Sequence, residues 1–374
     1  MAKIHIEKAE LERILKIAGS CVIPNRTFPI SEFVRVTTKG DRIKIEAANT
    51  VAGIRTYAGM DMETEEASFC VNYKDLLRYV GAIADDSVTI DVKGDENCIT
   101  IMHSGGEFTL PSVDAKDFPE IAAPGCEGCH EFKISGETMS AWLQTVKNFV
   151  IEDNLRPVLN GAHLEGVDGH LTLSASDTKV LYNDSVCLDA IDEPFAANIP
   201  SAAFGAVASI CEKAEEVSVT VGEQKVWVKS GSTVLSIVLL IGKYPNVKSV
   251  IPHQHLFEAT VSKKRLLESL KRLGIAVGVQ SHMIELNFSP SGALALKHQN
   301  IGEMKTASES ITYDGSIDYS MCFGYESFMK ALSAIDSENV VMRMNDPMHM
   351  AVLKEVGGSE DKTILVMPMG KRKA

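Results

Sequence analysis

The chain holds only two tryptophans among its 374 residues, and aromatic residues make up 6% of it. Binding of single-stranded nucleic acid without sequence preference leans on aromatic stacking platforms, so this composition argues against that mode. No zinc-finger spacing and no aromatic RNA-recognition signature occurs, which removes the common base-reading modules. Long apolar runs are missing as well. Nothing approaches the roughly 18 consecutive apolar residues of a membrane span, and the start, Met1-Ala2-Lys3-Ile4-His5-Ile6-Glu7-Lys8, has no apolar stretch of signal-peptide length. The expectation is a cytoplasmic protein with no membrane partner.

Catalytic signatures are equally scarce. There is no Gly-rich phosphate loop, no Gly-x-Ser-x-Gly elbow and no His-Glu-x-x-His pair, so an ATPase, hydrolase or metalloprotease lacks its motif. The acidic pairs Asp85-Asp86 and Glu360-Asp361 stand without a partner cluster, so no catalytic residue is expected. Cysteines are eight, and Cys21, Cys70, Cys98, Cys187, Cys211 and Cys322 read as isolated, reduced core residues. Cys126-Glu127-Gly128-Cys129-His130 could hold zinc or act as a redox pair. A structural zinc site wants four ligands, however, and no second pair lies at suitable spacing; His253-x-His255 belongs to a different joint of the chain. Neither metal nor cofactor is expected.

What the chain does have is a sixfold repeat. Aligned on the apolar residue that closes a short strand, it returns at Ile6, Val71, Ile134, Ile199, Val261 and Phe323, with spacings of 65, 63, 65, 62 and 62 residues. Five positions on stand Leu11, Leu76, Met139, Phe204, Leu266 and Phe328; nine on, Leu15, Val80, Leu143, Ala208, Leu270 and Leu332; twelve on, Ala18, Ile83, Val146, Cys211, Leu273 and Ile335. These offsets share one helical face, so each repeat offers a helix of about 12 residues, roughly 18 Å long, with a single buried stripe. Between the helices, alternating runs such as Arg42-Ile43-Lys44-Ile45-Glu46 and Ser87-Val88-Thr89-Ile90-Asp91-Val92 read as half-buried strands. The class is α+β, antiparallel sheet covered by few helices. A chain of this length exceeds one ordinary core, and the repeats pair into three domains, 1–128, 129–253 and 254–374, jointed near Ala122 to Gly128 and Ile251 to His255.

The helix face opposite the stripe comprises 24 positions. Eight are cationic (Arg13, Lys16, Lys74, Arg78, Lys213, Lys264, Lys271, Lys330), four are acidic (Asp85, Glu137, Glu268, Glu326), and most others are small or polar. The whole chain carries a formal net charge of −13. An acidic body with positive helix faces repels polyanions except along one surface, which suits a phosphate backbone bound without base reading. Arg26, Lys147 and Arg272 are nearby candidates for the same role.

The run Asn154-Leu155-Arg156-Pro157-Val158-Leu159-Asn160-Gly161 resembles a signature of the bacterial DNA polymerase III beta subunit family, the sliding clamps. So do Phe108-Thr109-Leu110-Pro111 with Asp117-Phe118-Pro119, Ala175-Ser176-Asp177, Gly242-Lys243-Tyr244-Pro245 with Val250-Ile251-Pro252, and Val366-Met367-Pro368-Met369. The resemblance implies three clamp domains per protomer, each of two strand–helix–strands units, and a head-to-tail homodimer closing a ring with sheets outside and helices lining the hole. Duplex DNA would thread that hole, a clamp-loader ATPase would place the ring, and replicative and repair polymerases would be tethered for processive synthesis through short Leu/Phe-containing peptides. Those peptides would enter a cleft matching Leu159, Ser176, Thr178, Lys179, Val180, Leu181, Pro245, Ser249, Val250, Met348, Met350, Leu365, Val366, Met367 and Met369.

The resemblance also sets Phe108 and Leu110 against Ile275 and Ala276 of the partner protomer, and it implies no catalytic site. The family's Asp-Gly-His-Arg-Leu turn appears here as Asp177-Thr178-Lys179-Val180-Leu181, a change that bears on the favoured peptide because a Cβ restricts the turn. Five residues from Gly370 to Ala374 add three cations near the same cleft. A clamp-like repeat scaffold, from a mobile element or a secondary paralogue, with an altered cleft and no replicative role, is the alternative from another class.

Overall fold

The computed structural model describes residues 2–93, 97–125, 128–252, 254–278, 282–300 and 302–370. Cys126, His253 and the cations of the last four residues lie outside that set. Each repeat begins with a strand and a helix and continues in further strands. The first comprises β1 (Ala2–Glu7), α1 (Lys8–Gly19), β2 (Phe33–Ala48) and β3 (Ala52–Asn72); the second takes over the end of β3 and adds α2 (Tyr73–Ala82), β4 (Ser87–Lys93), β5 (Cys98–His103) and β6 (Gly106–Asp114). The third is β7 (His130–Ser135), α3 (Gly136–Val146), β8 (Gly161–Val167), β9 (His170–Ser176) and β10 (Val180–Cys187). In the fourth follow β11 (Phe195–Pro200), α4 (Phe204–Cys211), β12 (Glu216–Val221), β13 (Lys225–Ser230) and β14 (Thr233–Val238). The fifth is β15 (Phe257–Ser262), α5 (Lys263–Leu273), β16 (Met283–Ser289), β17 (Ala293–Asn300) and β18 (Lys305–Asp314), and the sixth β19 (Tyr319–Gly324), α6 (Tyr325–Ser333), β20 (Asn339–Met344), β21 (Ala351–Glu355) and β22 (Thr363–Val366).

The periodic stripe is what holds each helix down. Leu11, Leu15 and Ala18 of α1 are buried, as are Leu266, Leu270 and Leu273 of α5 and Phe328 and Leu332 of α6. Each buried leucine contributes roughly 2 kcal/mol. The fourth helix departs from the pattern: Ala206, expected on the outward face, is buried, and Ala208 of the stripe is only half-buried. That helix spans eight residues and is apolar nearly all round, so its orientation follows its neighbours rather than a stripe. Of the cysteines read as core, Cys187 is exposed, while burial pushes the Cys21, Cys70 and Cys211 thiols up to about 12. Cys129 is disulfide-bonded.

The chain divides into two compact units, one of Met1–Gln144 with Ile199–Leu240 and one of Thr145–Asn198 with Ile241–Ala374. Each unit is organised on one antiparallel sheet. In the first the order is β1-β4-β5-β6-β3-β14-β13-β12-β7, with β2 pairing β3; in the second it is β11-β8-β9-β10-β22-β21-β20-β15-β18-β17-β16-β19. β2 and β3 are long because each does the work of two strands in other repeats. A register shift at Thr38, Gly40 and Arg42, with Gly40 at a φ of 62°, marks the break between them.

The repeat extends to side-chain detail. Lys8 and Lys263, both first in their helices, send their ammonium groups to the carbonyls of Ile83 and Ile335 at the ends of the companion helices α2 and α6. Their backbone N–H groups bond Asp86 and Glu338 at 2.8 and 2.9 Å. In the middle pair Gly136 holds the corresponding place: its N–H bonds Glu215 O at 3.2 Å, and a Cβ there would lie 2.2 Å from Ala214 O and 2.5 Å from Cys211 O. A close backbone approach thus replaces the lysine tether.

Candidate functional site

Ten of the eleven candidate phosphate-binding cations are exposed: Arg13, Lys16, Arg26, Lys74, Arg78, Lys147, Lys213, Lys264, Lys271 and Arg272. They are not equally available. Arg13 donates to Glu10 at 2.8 Å and Lys16 to Glu12 at 2.7 Å, pairs one turn apart on α1. Arg272 forks onto Glu309 of β18 at 2.5 and 2.6 Å. Arg26, Lys74, Arg78, Lys147, Lys213, Lys264 and Lys271 form no hydrogen bond or ion pair among the described residues, so they are the cations open to a phosphate. Lys330 differs again: half-buried on α6, it bonds Asp177 Oδ2 at 3.1 Å, and its charge is matched within the chain.

All fifteen candidate cleft residues fall in the second compact unit. They separate into a floor and a rim. Leu159, Val180, Leu181, Leu365 and Val366 are buried; Thr178, Lys179, Pro245, Ser249, Val250, Met348 and Met367 are exposed; Ser176, Met350 and Met369 lie between. Antiparallel pairing of β10 with β22 sets Val180 against Val366 and Leu181 against Leu365. Leu159, Leu181 and Leu365 pack with Tyr244, Val247 and Val352, and Ile151, Val158, Ile251 and Met350 close around them. Exposed Met348 and Val250, 71% and 42% accessible, leave apolar surface at the rim for a ligand to cover.

Tyr244 and Val247 extend the expected set, and Tyr244 stands inside the Gly242-Lys243-Tyr244-Pro245 motif. The loop carrying them is suspended by Asn198, whose Nδ2 donates to Gly242 O at 2.8 Å while its Oδ1 meets His163 Nδ1 at 2.8 Å. His163 stacks flat on the Tyr244 ring, centroids 4.8 Å apart and planes 8° from parallel. Burial pushes the Tyr244 phenol up to about 12, so it stays neutral and serves as a packing group.

The turn that departs from the family sequence is tied by its own side chains. Asp177 Oδ1 accepts the N–H groups of Lys179 and Val180, both at 2.9 Å, and Ser176 Oγ accepts from Thr178 N at 3.1 Å while donating to Val180 O at 2.8 Å. Thr178 sits at a φ of 75°. A left-handed conformation of the kind glycine favours is thus occupied by a β-branched residue, at a strain of about 1–3 kcal/mol, held by the Asp177 carboxylate. At the rim the altered sequence presents an exposed threonine and an exposed lysine.

Of the four residues expected between protomers, Ile275 is 80% exposed just past α5 and Phe108 is 41% exposed on β6, stacked on Tyr79 at 4.3 Å. Leu110 is buried within its own chain and Ala276 is half-buried, so neither offers the surface that the other two do. Among the described residues no helix is long and apolar enough to cross a membrane.

Residues 2–122 and 130–248 match the DNA polymerase III beta subunit N-terminal domain, and residues 248–370 match the C-terminal domain of the same subunit. The beta sliding clamp of Synechocystis sp. is 24% identical, the match covering 98% of this chain and 99% of that one. That of Chlamydia pneumoniae is 23% identical and covers 98% of each. Among solved structures, a DNA polymerase sliding clamp from Pseudomonas aeruginosa superposes with a TM-score of 0.92 at 20% identity over 99% of this chain and 100% of that one. The DNA polymerase III beta subunit of Thermotoga maritima gives 0.90 at 19% identity over 100% of both. With both family domains accounting for nearly every residue, the chain belongs to the DNA polymerase III beta subunit family, the beta sliding clamps.

Proposed function

We propose that two copies of this chain join head to tail as a ring around duplex DNA and tether the replicative polymerase for processive synthesis. The ring acts by topology rather than by catalysis. One observation supports this above the others. The strand that ends each repeat pairs outward with the strand ending another: β14 with β3 through Val234 and Arg55, and β10 with β22 through Val180 and Val366. Among the described residues two such strands are left with an open edge. Residues 106–111 of β6 pair only with β5, and residues 305–312 of β18 pair only with β17. In a three-domain reading one belongs to domain 1 (1–128) and the other to domain 3 (254–374), before and after domain 2 (129–253) in chain order. Pairing β6 of one protomer with β18 of the next satisfies both edges. Phe108 on β6, and Ile275, three residues past the Arg272 that bonds Glu309 of β18, are exposed apolar groups that the same pairing would cover.

In this reading Lys74, Arg78, Lys147, Lys213, Lys264, Lys271 and Arg26 meet phosphates weakly enough to exchange while the ring slides; Arg13, Lys16, Arg272 and Lys330 contribute less, being paired already. The apolar cleft of the second compact unit takes Leu/Phe peptides of polymerases and repair proteins, and a clamp-loader ATPase opens the ring in the cytoplasm. The test is loading onto a nicked circular duplex by a clamp loader, followed by linearisation of the circle. Retention on the circle and loss on the linear form is expected. A scaffold that does not encircle DNA gives neither. Changing Lys74, Arg78, Lys264 and Lys271 together to alanine should flatten the salt dependence of equilibrium binding to short duplex, by about 0.9 in logarithmic slope for each phosphate no longer neutralised.

A further inference from the structure

Lys330 lies on α6, a helix proposed above to face DNA, yet its ammonium is held by Asp177 of the partner cleft at 3.1 Å. The lysine side chain is 41% exposed and the aspartate 9%. Lys330 lines a shallow recess of about 420 Å³ along α6, with Asn148, Tyr325, Glu326, Met329 and Ser333. A phosphate can therefore reach this ammonium without entering the protein. Asp177 cannot follow it outward, because its other oxygen holds the N–H groups of Lys179 and Val180.

From this geometry we infer that Lys330 couples polyanion binding at α6 to peptide binding in the cleft. Withdrawing the ammonium removes the cationic partner of a nearly buried carboxylate. That carboxylate fastens the turn in which Thr178 occupies a left-handed conformation unfavourable to a β-branched residue. The Lys179 carbonyl in turn accepts the N–H of Met367 at 2.8 Å, so a shift of the turn reaches a second rim residue. DNA that recruits Lys330 loosens the rim and weakens the peptide; a peptide that tightens the rim returns Lys330 to Asp177 and weakens the grip on DNA. The effect is reciprocal by linkage. Its use would be to free the ring to slide once a partner is engaged.

This inference rests on the reading that both DNA and a Leu/Phe peptide bind. The experiment titrates the full-length protein with a labelled Leu/Phe peptide, with and without saturating short duplex at low salt, and with duplex in the presence and absence of peptide. In the unaltered protein each ligand should weaken the other by about 5-fold or more, equally in both directions. Lys330→Met should bind peptide more weakly without DNA and lose the mutual effect. Asp177→Asn, which keeps the Oδ1 acceptor and the turn, should lose it too, whereas Lys330→Arg should retain it. Binding of both ligands with no mutual effect in the unaltered protein overturns the coupling alone, as does a full effect in Lys330→Met. Failure of either ligand to bind by itself overturns the underlying reading and the coupling with it.

Discussion

Tyr73 stands over Gly19: a Cβ built on that glycine would lie 1.9 Å from the tyrosine Oη. Tyr325 stands over Gly274 in the same way, at 2.3 Å, so the first and third helix pairs share one packing device. The middle pair uses Gly136, whose obstructing atoms are backbone carbonyls rather than a ring that can swing. Gly19→Ala and Gly274→Ala should each cost about 1–2 kcal/mol and Gly136→Ala about 3 kcal/mol or more. Thermal unfolding of the three variants ranks them, and equal losses would contradict the assignment.

Thr178→Gly should stabilise the chain. Relief of the left-handed strain returns about 1–2 kcal/mol, and the extra freedom of glycine in the unfolded chain takes back about half of it. A rise of the midpoint in the cleft-bearing unit, read by hydrogen exchange of Val180 and Leu181, checks the sign. A fall would mean that the turn is unstrained.

Ile275→Asp should yield a folded monomer. The side chain is 80% exposed in the isolated chain, so a carboxylate there meets water and leaves the fold intact, whereas a covered apolar interface would not accept it. Sedimentation velocity at micromolar concentration reads the outcome; an unchanged assembly would place the protomer interface elsewhere.

Acid should weaken the helix faces before it unfolds the core. Hydrogen bonds from Arg13, Lys16 and Arg272 hold the carboxyls of Glu10, Glu12 and Glu309 below their usual range. A carboxylate lowered in the folded state contributes stability that is present above its unfolded value and lost as pH falls through the folded one. Unfolding temperature should therefore decline between about pH 5 and pH 3. Combining Arg13→Gln with Arg272→Gln should make that decline shallower, and an unchanged slope would deny these pairs their share.

Much of the fold is legible in the sequence because it is local and repeated. The stripe Leu11, Leu15, Ala18 and its five echoes need only the helical period, and the alternation of Met283 to Phe288 only the strand period. Where a side chain's fate depends on a distant neighbour, the pattern fails. Ala206 is buried and Cys187 is exposed, against expectation, because neither helix nor strand period reports what packs on the other side. The cleft is readable through motif resemblance, yet Tyr244 escapes because its role follows from the Asn198 hydrogen bond to Gly242, 44 residues away.

By itself the sequence determined six equivalent units, their helix stripes and a surplus of cations on the opposite faces, since periodicity and charge are properties of the chain alone. Only tertiary structure decided which of those cations are spent on Glu10, Glu12, Glu309 and Asp177, that Thr178 takes a glycine-like backbone, and that residues 106–111 of β6 and 305–312 of β18 lack a second strand partner among the described residues. Hydrogen bonds and strand pairings join residues far apart in order, and their geometry exists only once the chain has closed on itself.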